Sequence, residues 1–230
     1  MKEIGLIGGT SWESTQHYYQ IINKEVNARL GGFHSAKILM SSVDFAEIMD
    51  LMENNEWENM AKFLSHTAQK LEQGGADCVL ICTNTLHKVA DDVQKNIDIP
   101  LIHIADSTAK KIVENNFHQI GLLGTKLTME EDFYKGRLVN RHNLDVIIPN
   151  DTDRQIIHSV IFNELCQGEI KDESRQKYTK IIESLGDSGA KAIILGCTEI
   201  ASLISPRDTK IPLFDTTKIH ALSAVDFALK

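Results

Sequence analysis

Residues 75–85 read GADCVLICTNT, and residues 189–199 read GAKAIILGCTE. Each opens on Gly-Ala, runs apolar, and closes on small hydroxyl or thiol residues. A short run of Val, Ile and Leu bounded by glycine and by Ser or Thr reads as a buried strand leaving a parallel sheet. Two more echoes accompany this one: KEIGLIGGT (2–10) is answered by HQIGLLGT (118–125), and IPLIH (99–103) by IPLFD (211–215). Three matched landmarks indicate two α/β lobes of one ancestry. In the register of the first pair, the residue matching Cys197 is Thr83, although Cys82 stands one place earlier.

Working outward, strands are expected at 3–8, 38–44, 77–82 and 99–104, with helical periodicity over 13–29 and 55–74. The second half repeats the order. It has strands at 118–125, 144–149, 192–196 and 211–215, and helices over 150–168 and 173–186. Continuous apolar strands alternating with helices predict an α/β fold of two pseudo-symmetric lobes, each a mainly parallel sheet flanked by helices. A last helix over 216–229 is expected to pack back on the first lobe. The lobes are then 1–105 plus 215–230, and 106–214.

Composition narrows the partners. The chain is 42% hydrophobic and 24% charged, with a formal net charge of −8. Such a surface suits neither nucleic acid nor anionic membrane. No apolar run approaches the ~20 residues of a membrane span, and the opening MKEIGLIGG reads as a strand, so a cytoplasmic location is expected. Cys78, Cys82, Cys166 and Cys197 form no C-x-x-C pair. A metal site at Cys78, Cys82 and His87 is the weaker reading, since Cys78 lies in an apolar strand where cysteine packs as a small hydrophobe. Neither dinucleotide nor P-loop glycine spacing is present, and no lysine sits in a context that singles out a pyridoxal phosphate site. No cofactor is expected.

In open parallel sheets, ligands bind beyond the carboxyl ends of the strands. The exit loops are GGTSWEST, SSVD and CTNT in the first lobe, and GTKLT and GCTE in the second. The lobes are expected to bring them to a shared interlobe cleft. Their Gly, Ser and Thr residues offer N–H groups and hydroxyls suited to small carboxylates or phosphates, although each can equally cap a helix. Two mirrored loops can place one proton-transfer group on each side of a substrate carbon, which is what inverting a stereocentre needs. Cys197 is the stronger candidate, because a thiol at a loop entering a helix N-terminus can have a lowered pKa. Glu199 could orient it or share its proton.

GGTSWEST, CTNT, GTKLTMEEDFY and GCTE together resemble the cofactor-independent aspartate/glutamate racemases, over essentially the whole chain. The resemblance implies an interlobe site and a two-base mechanism with one cysteine per lobe. The usual first-lobe Cys-Asn-Thr falls here on Thr83-Asn84-Thr85, so the chain is similar to the subgroup with a Thr/Cys pair, described as L-aspartate/glutamate-specific or broad-specificity. Thr83 and Cys197 are then the catalytic pair, with Asp44 and Glu199 supporting. Thr10, Asn84, Thr85, Thr125, Thr128 and Thr198 would hold the amino-acid substrate's α-carboxylate and ammonium. A homodimer is the assembly expected of such lobed enzymes.

Two departures matter. If Thr83 faces the cleft, strand alternation turns Cys82 into the helix layer unless a bulge intervenes. Where relatives acting on aspartate carry Arg after the second strand's Asp, this chain has Phe45. Another cation, Lys126, Arg137 or Lys171, would have to bind a side-chain carboxylate, or the substrate is less acidic. Two other functions stay open: a maleate-type isomerase in which a cysteine attacks the substrate covalently, and a non-catalytic amino-acid-binding protein.

Overall fold

The computed structural model describes all 230 residues, and the chain divides into two units. The first is Met1–Ile104 with Thr217–Lys230; the second is Ala105–Thr216. In chain order the elements begin β1 (Ile4–Gly8), α1 (Trp12–Leu30), β2 (Ile38–Ser42), α2 (Phe45–Glu53), α3 (Trp57–Gln73), β3 (Cys78–Ile81) and α4 (Ala90–Gln94). There follow α5 (Ile104–Glu114), β4 (Gln119–Gly124), α6 (Lys126–Glu130), α7 (Lys135–His142), β5 (Asp145–Ile147) and α8 (Asp151–Asn163). The chain ends with α9 (Asp172–Asp187), β6 (Ala192–Gly196), α10 (Ile200–Leu203), β7 (Leu213–Asp215) and α11 (Thr216–Ala228).

Every strand pairing is parallel. The first unit holds a three-stranded sheet ordered β2-β1-β3, and the second a four-stranded sheet ordered β5-β4-β6-β7. In the first unit the period-2 alternation of the strands separates two cores. Ile7, Val79 and Ile81 pack with Leu64, Ala68 and Leu71 of α3 and Val93 of α4. Ile4, Leu6, Cys78, Leu80 and Cys82 pack with Tyr18, Ile22 and Val26 of α1 and with Ala221, Ala224 and Val225 of α11.

Two of the expected strands differ from the sequence reading, and the helix expected over 150–168 stops at Asn163. The run 38–44 stops as a strand at Ser42, because Asp44 turns the chain into α2 by accepting the Ala46 N–H at 3.0 Å. The run 99–104 contributes one bridge, Val79 with Leu101, carried by Val79 N–H to Pro100 O and Ile102 N–H to Val79 O, each at 3.0 Å. Pro100 has no N–H to extend the ladder, Gln94 Oε1 takes the Leu101 N–H at 2.7 Å, and α5 begins at Ile104.

Candidate functional site

The parallel registers decide which loops are neighbours. In the first unit Gly8 pairs with Ser42 and Ile7 with Ile81, so Gly9-Thr10-Ser11, Val43-Asp44 and Thr83-Asn84-Thr85 leave one sheet edge together. Gly9 makes this crowding possible. Its φ is +92°, and a Cβ there would lie 2.1 Å from the Val43 carbonyl oxygen, so only glycine fits. Thr15 pins the turn, accepting from the Gly9 N–H at 2.9 Å and donating to Ser11 O at 3.1 Å. Thr10 is 5% exposed, and its hydroxyl has no hydrogen-bond partner.

Beyond β3 the chain separates two adjacent residues. Cys82 is 0% exposed in the α1/α11 core, where burial pushes its thiol pKa far up; Cys78, also buried, is pushed up to about 12. Thr83 is half-buried. Asn84 and Thr85, both buried, open a 3-10 turn over Thr85–Val89. Cys78, Cys82 and His87 are not presented to an ion, and no group of three or more His, Cys, Asp or Glu residues is arranged to hold one. Both cysteines are core residues, and both His87 ring nitrogens bond backbone groups. Asp44 is exposed and serves as the N-cap of α2, while Phe45 packs against the α3 core.

In the second unit Gly124 pairs with Gly196, which sets Thr125 beside Cys197. Thr125 caps α6, taking the Thr128 N–H at 3.3 Å, and its hydroxyl lies 3.0 Å from that of Thr128. Thr128 is wholly buried and supports Thr125. Cys197 is 9% exposed and its Sγ donates to Glu199 Oε2 at 3.0 Å; Thr198, also buried, donates its hydroxyl to the same oxygen. Contrary to the expectation of a lowered value, the Cys197 thiol is pushed well up. Burial is the main cause and the Glu199 carboxylate the next. The helix it enters, α10, has four residues, so its dipole is short. The resting state is therefore a thiol hydrogen-bonded to a carboxylate. That couple can move a proton from sulfur to oxygen when a cation or substrate arrives.

The three candidate cations are not equivalent. Arg137 is bidentate to Asp106, Nε at 2.8 Å and Nη2 at 2.7 Å, and His142 joins the same carboxylate at 2.8 Å. Lys171 pairs with Glu169 at 2.8 Å. Lys126 is exposed, directly follows Thr125 in the exit loop, and has no carboxylate partner. Its backbone N–H donates to His158 Nδ1 at 3.3 Å, and its charge adds to the burial that lowers the His158 pKa.

The loops, the sheet orders and the thiol–carboxylate couple can be set beside known proteins. A proposed Asp/Glu racemase from Yersinia pestis is 50% identical, covers both chains in full and superposes with a TM-score of 0.95. An aspartate racemase homologue from Pyrococcus horikoshii OT3 is 33% identical over 100% of both chains, with a TM-score of 0.87. The broad specificity amino-acid racemase RacX of Bacillus subtilis (strain 168) is 25% identical over 173 residues, 73% of this chain and 72% of that protein. The pattern of the Asp/Glu/Hydantoin racemases matches residues 7–224. By sequence and by fold, the chain belongs to the Asp/Glu/Hydantoin racemase family.

Proposed function

We propose that the protein is a cofactor-independent amino-acid racemase acting on aspartate and glutamate. The observation that carries this reading is the Cys197–Glu199 couple at the end of β6, matched at the equivalent end of β3 by Thr83. Glu199 takes the thiol proton, and the thiolate removes the α-proton of the L-enantiomer. Thr83, or water beside it, delivers a solvent proton to the other face of Cα. Lys126 holds the side-chain carboxylate, since Phe45 supplies no cation, and Thr10, Asn84, Thr85, Thr125 and Thr198 hold the α-carboxylate and ammonium. The likeness to a broad-specificity enzyme makes range a question for measurement.

The test is α-hydrogen exchange in D2O across a panel of amino acids, read by NMR and chiral chromatography. Aspartate and glutamate should invert and take up deuterium. A ligand that binds yet keeps its α-hydrogen would make the chain a binding protein. A stable mass increase on Cys197 with substrate would point to covalent isomerisation.

A further inference from the structure

Both carbonyls that flank the Thr83 nitrogen and Cα are held by side chains. Ser14 Oγ donates to Cys82 O at 2.9 Å, and His87 Nδ1 lies 2.7 Å from Thr83 O. A carbonyl oxygen only accepts, so Nδ1 carries the proton. Nε2 of the same ring then accepts the Ile104 N–H at 3.2 Å. Both nitrogens are committed, and His87, 2% exposed, is a neutral imidazole of one tautomer.

The backbone alone does not supply this bond. In a regular helix the Thr83 carbonyl would take the N–H four residues on, but that N–H, from His87, goes to Asn84 O at 3.1 Å. The imidazole substitutes for it. More rings hold the imidazole in turn: the His103 centroid is 4.5 Å away and the His220 centroid 5.6 Å. His220 is fixed by donating from Nε2 to Ile102 O at 2.7 Å and by accepting the Tyr18 hydroxyl at Nδ1, 2.8 Å away. Tyr18, His87, His103 and His220 are all buried.

We propose that His87 is a positioning residue for Thr83. It fixes the plane of the Thr83–Asn84 peptide, and with it the direction in which a staggered Thr83 hydroxyl points. The inference rests on the reading of Thr83 as the proton-transfer group for one face of Cα. The His87 contacts described all lie within the first unit, whereas Cys197 is carried by the second, so losing the ring should impair one face only.

A substrate analogue separates the faces. Removing the α-proton of 3-chloro-L-aspartate forms a carbon–carbon double bond and expels chloride, and the resulting enamine hydrolyses to oxaloacetate and ammonia. That reaction needs the L-face base only, whereas aspartate inversion needs both groups. His87→Leu and His87→Gln should lose racemisation by on the order of 10²-fold while keeping chloride release from the L-analogue. His87→Asn, whose amide nitrogen replaces Nδ1, should recover most of the racemisation; His87→Gln reaches toward Ile104 instead and should not. Gln and Asn variants of equal activity, or parallel loss of racemisation and L-analogue elimination, would show a structural role and overturn the inference. So would unchanged racemisation in His87→Leu. A wild type that neither racemises aspartate nor releases chloride would sink the racemase reading, and the inference with it.

Discussion

Cys197 and Thr83 occupy equivalent strand exits but meet different surroundings. The thiol is buried against a carboxylate, and burial together with that negative charge keeps it protonated. On the proposed mechanism, deprotonation then depends on Glu199 as acceptor. Cys197→Ser is nearly isosteric, yet a hydroxyl is a far weaker base, so racemisation should fall by ~10²–10⁴-fold with an unchanged melting temperature. Near-normal turnover in a folded Cys197→Ser protein would remove this residue from the chemistry. On the other side, Thr83→Ala should lower turnover much more than Cys82→Ala. The latter empties a little of the α1/α11 core and should cost on the order of 1 kcal/mol, read by urea unfolding. The opposite ranking would show that Cys82 is the acting group. The burial of Cys82 was legible from residues alone, because strand alternation turns it away from the side that Thr83 faces. The upward shift of Cys197 was not legible. It needs the burial of the thiol and the orientation of Glu199, neither of which a motif records.

At the scale of elements, the apolar strands could be read because parallel strands are buried on both faces and stand out as unbroken runs. Boundaries failed where a single polar group took over. Asp44 caps α2, whose Phe45, Ile48 and Leu51 follow helical spacing, and 99–104, with Pro100 inside it, pairs with β3 through a single bridge. The frame under Thr83 is only partly local: His87 lies four residues on, but Ser14 and His220 reach it from distant parts of the sequence. His220 of α11 also carries a consequence for stability. Burial lowers its pKa from 6.5 to about 4, so the folded protein keeps it neutral while the unfolded chain takes up a proton below pH 6.5. A lowered histidine pKa means stability that is full above the unfolded value and lost as pH falls through that window. Between pH 6.5 and 4 the loss should approach 1.4 kcal/mol per pH unit, roughly 3 kcal/mol in all. Chemical denaturation at several pH values checks it. His220→Gln should be less stable at pH 7 yet show a shallower acid slope than wild type.

For the whole molecule, an unequal pair of proton-transfer groups has a thermodynamic limit. Enantiomers have equal free energy, so kcat/KM must be the same for the L- and D-substrate however different Thr83 and Cys197 are. The asymmetry can appear only in kcat and KM separately. D-aspartate should show the lower kcat, because an unassisted hydroxyl is a poor base at neutral pH. Thr83→Cys should raise it. Equal kcat values for both enantiomers in the wild type, with no change in Thr83→Cys, would refute the unequal-pair mechanism.

The first unit is made of two stretches of chain, and the second of one. On a ribosome this fixes an order of events. Residues 105–216 are contiguous and can close their sheet as soon as they emerge. The sheet of Met1–Ile104 emerges earlier but lacks Ala221, Ala224 and Val225, which complete one of its two cores. Its Lys2 N–H likewise waits for the Ala228 carbonyl, 2.9 Å away in the finished fold. The half made first is therefore finished last, and a released chain truncated after residue 216 should expose the apolar face of β1 and β3 to chaperones and proteases while the later half is already protected.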